Sequence, residues 1–292
     1  MRIVLFGPTG LIGWELARSL APLGTVKGIG RDRIDWRDAR AVRALLDAEQ
    51  PDVIVNAAAY TAVDRAEAEP AAALADNAEG PGVLAVEAAR TGAMLVHYST
   101  DYVFDGRNAH PYREDDATGP LSVYGHTKLE GEQRVIKASD HHVVLRTSWV
   151  YGHRRQNFLL TMLRLAASQP ELRVVDDQFG APTWSRHIAA ATAIAIARWH
   201  AEPSLARGVF HLVAGGATSW HGFASAILKA TGSNIPVVPI KTSEMPRPAV
   251  RPANSRLEAS RLHAVLGIRL PDWHVGLQQC LDGLDLTVAS RS

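Results

Sequence analysis

A single cysteine, Cys280, stands in the 292-residue sequence, which excludes an intrachain disulfide and a cluster of thiolate metal ligands. Neither sign of charge is in excess. The 31 Lys+Arg stand against 30 Asp+Glu, a formal net charge of +1. That balance lacks the basic footprint of a general nucleic-acid binder, and no nucleic-acid partner is expected. Long apolar runs are missing too. The longest, Ile188 to Ala197, is interrupted by Thr192 and falls well short of the ~20 residues a membrane-spanning helix needs. The opening run Ile3-Val4-Leu5-Phe6 ends at once in Gly7, too short for the core of a secretory leader. The expectation is a cytoplasmic protein in a reducing compartment, with no membrane partner. The twelve histidines include no H-E-x-x-H or comparable ligand spacing, and no G-x-S-x-G elbow occurs. No metal site and no α/β-hydrolase chemistry are therefore expected.

What is present is ordinary globular composition, 47% hydrophobic and 21% charged, in a length that suits one large α/β unit or a main domain with an annex. Strand-like runs at 3–6, 26–29, 53–55, 94–98 and 143–145 alternate with helical spacing at 11–20, 39–48, 70–90 and 124–137. Repeated β-then-α units predict a Rossmann-type doubly wound parallel sheet with ligands at the carboxyl ends of its strands. After residue 150 the regularity weakens. Strands are expected at 172–175 and 209–213 and helices at 188–199 and 220–231. Five prolines between Gly232 and Arg256 make that segment mostly loop. The expected division is a dinucleotide-binding domain over 1–150 and, over 151–292, a smaller, less regular substrate-binding lobe that returns some elements to the sheet.

Gly7-Pro8-Thr9-Gly10-Leu11-Ile12-Gly13 lies between the first strand and the first helix. Glycines there allow a tight turn and close approach of a pyrophosphate, and the helix N-terminus offers amide donors at Leu11 and Ile12. The end of the second strand reads Gly28-Ile29-Gly30-Arg31, with no acidic residue to grip a ribose 2′-hydroxyl. Arg31 either pairs with a 2′-phosphate, which favours NADPH over NADH, or is a solvated turn residue. Asp35 and Trp36 follow at the adenine end. Ala57-Ala58-Ala59, after the third strand, are small enough for a cofactor to lie across them.

Tyr124-Gly125-His126-Thr127-Lys128 is the sharpest signal. Residues four apart share a helix face, and an ammonium there lowers a phenol pKa that is ordinarily ~10, making Tyr124 a proton donor. Thr100, at a strand end, bears a hydroxyl that can donate to a carbonyl oxygen. Trp149 ends the following strand and either overhangs the same rim or is a core tryptophan.

With these motifs the sequence resembles the extended short-chain dehydrogenase/reductases, and within them the dTDP-4-dehydrorhamnose reductases. The strings Ser99 to Gly106, Arg146 to Gly152, Asp177 to Thr183, His211 to Gly216 and Arg251 to Leu257 carry the likeness over nearly the whole chain. The resemblance implies NADPH-dependent reduction of a dTDP-linked 4-keto sugar, with NADH also accepted. Tyr124 is then the proton donor, Lys128 its partner and Thr100 the carbonyl-polarising hydroxyl. Asp101 and Trp149 match sugar contacts, and Arg251 and Arg256 are diphosphate partners. Two alternatives are an epimerase or dehydratase of another nucleotide-sugar, and a non-catalytic subunit like the regulatory subunit of methionine adenosyltransferase. Some members of the resembled family form a dimer through magnesium held by glutamates. Glu15 matches one such position, but Arg186 stands at the second and Ala289–Ser292 offers no glutamate. A monomer or a metal-independent homodimer is expected, with Glu15 exposed or paired to a base such as Arg186.

Overall fold

The apolar runs of the first half become strands covered on both faces, and the segments between them become helices. In the computed structural model, which describes residues 1–138 and 140–284, β1 (Arg2–Phe6) leads into α1 (Leu11–Ser19) and β2 (Thr25–Ile29) into α2 (Ala39–Glu49). β3 (Val53–Asn56) leads into α3 (Val63–Ala68), α4 (Pro70–Leu74) and α5 (Gly80–Thr91). β4 (Met94–Thr100) precedes α6 (Val123–Ala138), and β5 (His142–Thr147) follows. Then come β6 (Val150–Tyr151), α7 (Phe158–Ala166), β7 (Leu172–Val175), β8 (Phe179–Gly180), β9 (Thr183–Trp184) and α8 (Ser185–Ala201). β10 (Gly208–His211), β11 (Thr218–Ser219), α9 (Trp220–Ala230), β12 (Val237–Ile240), α10 (Ser260–Leu266) and α11 (Trp273–Asp282) complete the order.

Six strands form one sheet in the order β10-β5-β4-β3-β1-β2, every pair parallel. Strand order reverses at β1, with β2 on one side and β3 on the other, so a crevice opens at the carboxyl end of β1. Alternate residues face opposite ways along each strand. Ile3, Leu5, Val53 and Val55 pack with Leu16 of α1 and Ile188 and Ile196 of α8. Val4, Phe6 and Ile54 pack with Val42 and Leu46 of α2 and Leu84 of α5. The second half thus contributes β10 and α8 to the main layers. It also builds a separate core from Tyr151, Leu159, Trp184, Phe223, Trp273 and Leu277.

One expectation needs correction. The helical stretch 70–90 is broken by a π-helical turn at Ala75–Glu79. Pro81 sits in the first turn of α5, where its missing N–H and its ring forbid the ordinary bond back to Asn77. Asn77 lies in this turn, and its side chain serves as a junction. Its Nδ2 donates to the Tyr60 carbonyl and to Thr127 Oγ1, both at 3.1 Å. The proline-rich segment 232–256 is mostly loop, as expected, and also holds the short strand β12, which pairs in parallel with β7. Pro239 is tolerated because this is a two-stranded edge, where its missing donor faces away from the partner. Among the described residues no helix is long and apolar enough to cross a membrane.

Candidate active site

A cleft of about 880 Å³ runs over the strand ends, lined by Phe6 at the end of β1 and Gly7 after it, Ala57–Ala59 after β3, Thr100 at the end of β4 and Thr147 at the end of β5. Gly7 turns the chain at φ +78°, and a Cβ there would meet the Ala58 nitrogen at 2.7 Å; only glycine satisfies both conditions. Gly13 does not line the cleft. A Cβ there would overlap the Gly7 carbonyl, so its smallness lets α1 close on the turn. Gly10 is the N-cap of α1 and brings no capping side chain, and the first turn holds no acid. The amides that open this helix have no intrahelical acceptor and a favourable dipole for an anion. Leu11 and Ile12 line the cleft beside them. Arg155, at φ +59°, reaches across from the second half and donates from Nε to the Thr9 carbonyl at 3.0 Å. The small, donor-rich turn fits a dinucleotide diphosphate.

At the other end, the first turns of α6 face the end of β4. Lys128 is 3% exposed, and its Nζ donates to the Tyr98 carbonyl at 2.6 Å. Burial pulls the ammonium down to about 8, against the support of Glu132. Glu132 is itself held bidentately by Arg146, at 2.9 and 2.7 Å. Burial pushes the Tyr124 phenol up to about 12, opposed by its hydrogen bond with Thr100 and assisted by the Asp101 charge. The expected lowering of this phenol by Lys128 is therefore not seen: desolvation dominates while the ammonium is engaged with a backbone carbonyl.

Thr100 Oγ1 donates to Asp101 Oδ1 at 2.9 Å. Burial raises the Asp101 carboxyl to about 6, against the nearby hydroxyls of Ser255 and Thr100. Asp101 Oδ2, Ser99 Oγ and Thr147 Oγ1 are buried without a protein partner, and all three residues line the cleft. Buried polar atoms are nearly always paired, so these mark where a polar ligand fits.

Trp149 lines the cleft at φ +48°, a conformation rare for a bulky side chain. Its indole is held flat against that of Trp220, centroids 3.5 Å apart and planes 4° apart. A Cβ on Gly180 would overlap the same ring. The strain is thus held by packing from the second half. Trp220 lines the cleft too; in the sequence it marks only the start of a helix.

Other expected residues divide. Arg31 and Trp36 line the cleft, but Arg31 Nη2 is bound to Asp76 Oδ2 at 2.7 Å. Asp35 is exposed and held by Arg37, whose hydrogen bonds keep its carboxyl below the usual range. Arg251 does not line the cleft; it binds Asp64 with two contacts of 2.9 Å. Arg256 binds Asn254 Oδ1 at 2.8 Å and the Ala109 carbonyl at 2.7 Å. The side-chain bonding of both guanidiniums organises loops rather than lining the cavity. Asp32, Tyr102, Arg155 and Asn157 line it without having been read from the sequence. The Glu15 carboxylate is 3.3 Å from Arg186 Nε, the pairing expected of it, while Ala289–Ser292 lies outside the described residues. Among the described residues no group of three His, Cys, Asp or Glu is placed to hold a metal.

The family model of the RmlD substrate binding domain matches residues 1–286. The chain is 48% identical to a dTDP-4-dehydrorhamnose reductase of Burkholderia thailandensis, covering 97% of this chain and 99% of that one. It is 44% identical to one of Escherichia coli, covering 99% and 100%. Among solved structures, a dTDP-4-dehydrorhamnose reductase of Clostridium acetobutylicum superposes with a TM-score of 0.91 at 36% identity, covering 97% and 99%. One of Bacillus anthracis, in complex with NADP, gives 0.90 at 32%, covering 96% and 98%. A UDP-glucose 4-epimerase of Thermotoga maritima, at 19% identity and a TM-score of 0.83, shares the fold.

Proposed function

The chain belongs to the dTDP-4-dehydrorhamnose reductase family of oxidoreductases, and from that premise we propose that it reduces the 4-keto group of dTDP-4-dehydro-6-deoxy-L-mannose, giving dTDP-L-rhamnose. NADPH is the assigned cofactor, supported by the NADP complex of the Bacillus anthracis relative; NADH is accepted as well. The observation that carries the reading is the conjunction, in one cleft, of the glycine turn with Thr100, Tyr124 and Lys128. A purely binding subunit has no need of a phenol, an ammonium and a hydroxyl converging on one wall.

When bound, NADPH supplies the hydride. Tyr124 gives its proton to the C4 oxygen, so the C=O π bond is replaced by one C–H and one O–H bond. Thr100 turns its one hydroxyl proton from Asp101 to the same oxygen as charge develops on it. The Lys128 ammonium, one helical turn away and anchored on the Tyr98 carbonyl, would hold the nicotinamide ribose with its remaining donors. Asp101 and the Trp149–Trp220 stack form the wall that orients the sugar, and orientation of this kind is itself worth rate. The part of 151–284 outside the main sheet is the lobe that covers the nucleotide-sugar.

The pKa pattern sets a pH dependence. Tyr124, raised to about 12, keeps its transferable proton across the neutral range. Lys128, lowered to about 8, is the group that changes charge there. Loss of the ammonium removes the charge that would hold the nicotinamide ribose, so kcat/KM in the reducing direction is expected to fall as pH rises through about 8. A profile flat through that region contradicts the role given to Lys128.

The reading is tested by following NADPH oxidation with the dTDP-4-keto sugar and with UDP-linked sugars, with the products identified. Stoichiometric oxidation with the dTDP substrate alone supports the proposal. A converted sugar without net cofactor consumption points to an epimerase or dehydratase, and cofactor binding without any turnover to a binding subunit.

A further inference from the structure

The Ile29 carbonyl at the end of β2 accepts from the Gly7 amide at 3.1 Å, so the chain leaving β2 runs beside the glycine turn. In dinucleotide folds the side chain just beyond this strand reads the adenosine ribose. A carboxylate accepts from a free 2′-hydroxyl, and an arginine pairs with a 2′-phosphate. Here the first position beyond β2 is Gly30, with no side chain to offer. A turn closed by Arg33 N donating to the Gly30 carbonyl at 3.1 Å folds Asp32 back over it. A Cβ on Gly30 would overlap the Asp32 carboxylate. Asp32 therefore places its charge in the space that an acidic side chain at position 30 would occupy, and it lines the cleft.

The cation at this end is already engaged. The Arg31 guanidinium is bound to Asp76 at 2.7 Å, with Asp76 only 11% exposed. Arg31 thus meets any ligand with its charge partly offset, beside a second carboxylate.

We propose that Asp32 is the specificity-determining residue of the ribose end, accepting from the free 2′-hydroxyl of NADH and opposing the 2′-phosphate of NADPH. Arg31, shared with Asp76, acts in the opposite sense, and the balance admits both cofactors. This rests on the reductase reading only for the identity of the ligand.

The test is calorimetric binding of NADP⁺ and NAD⁺ to the full chain without sugar. For Asp32→Asn the affinity ratio of NADP⁺ to NAD⁺ is expected to rise about tenfold, the size of one charge-assisted hydrogen bond exchanged for repulsion. Arg31→Ala should lower the ratio, and Asp76→Asn, which frees the guanidinium, should raise it. Asp32 lies in an exposed turn, and Asp32→Ser provides a second replacement with the same expected direction. The kcat/KM ratio for NADPH over NADH should move in parallel. An unchanged binding ratio in both Asp32 variants, with both dinucleotides still bound, overturns the proposal while leaving the reductase reading intact. Failure of the unmodified chain to bind either dinucleotide overturns the reductase reading as well.

Discussion

Tyr124→Phe is expected to lower kcat by a factor of ~10²–10⁴ while leaving cofactor affinity close to that of the unmodified chain. The phenylalanine ring keeps the shape of the first turn of α6 and its edge-on contact with Tyr102, whose centroid is 5.7 Å away. What disappears is the only atom in the proposal that hands a proton to the C4 oxygen. Burial holds that proton firmly, with the phenol raised to about 12, so it is transferred only when the oxygen gains charge from the hydride. Steady-state kinetics combined with dinucleotide titration separate the two effects. A variant that binds normally and turns over at the unmodified rate removes Tyr124 from the mechanism.

Thr100→Val is expected to cost ~10²–10³ in kcat, the range found when one donor to a developing oxyanion is removed. Valine matches the shape and suits the end of β4, but the threonine oxygen has two further duties. It accepts from Tyr102 N at 3.2 Å, capping the short turn Asp101–Val103, and it donates to Asp101. Removing the latter bond should raise the Asp101 carboxyl further, since that bond is one of those holding it down. Thr100→Ser keeps the acceptor for Tyr102 N and the one proton that Asp101 holds before the C4 oxygen takes it, and should recover most of the lost rate. If Thr100→Val and Thr100→Ser lose activity equally, packing of the β-branched side chain, and not its hydroxyl, is what the position supplies.

The parts of this site that are legible in the sequence are those in which chemistry and geometry share one short segment. Gly7 to Gly13 stands between a strand and a helix, and Tyr124 and Lys128 are one helical turn apart, so their relation needs no knowledge of the fold. The sheet is legible for the same reason, because each βα unit announces itself locally. Trp220, Arg155 and Asp32 carry no such mark. Trp220 reaches Trp149 only because α9 is folded back from the second half, and Arg155 meets Thr9 across 146 residues of sequence. Asp32 enters the cleft through the bend of a turn that leaves Gly30 bare. Conversely, Arg251 and Arg256 have the right charge for a diphosphate and lie in a loop of the right half. Their partners Asp64 and Asn254 are visible only in three dimensions. The π-helical turn before Pro81 is a rule the sequence contains, since proline forbids the ordinary bond. The bonds that the Asn77 side chain makes from that turn, to Tyr60 and Thr127, appear only once those residues are neighbours.

The central claim is a net hydride transfer from the nicotinamide to C4 of a dTDP-linked keto sugar, with the proton supplied by Tyr124. Its most direct test uses NADPH deuterated at the transferable position of the nicotinamide, with the product analysed by mass spectrometry and NMR. The account predicts one deuterium at C4 of dTDP-L-rhamnose for each NADPH oxidised, and loss of this incorporation in Tyr124→Phe. Conversion of the sugar with no deuterium retained at C4, or with the cofactor returned unoxidised, would contradict it.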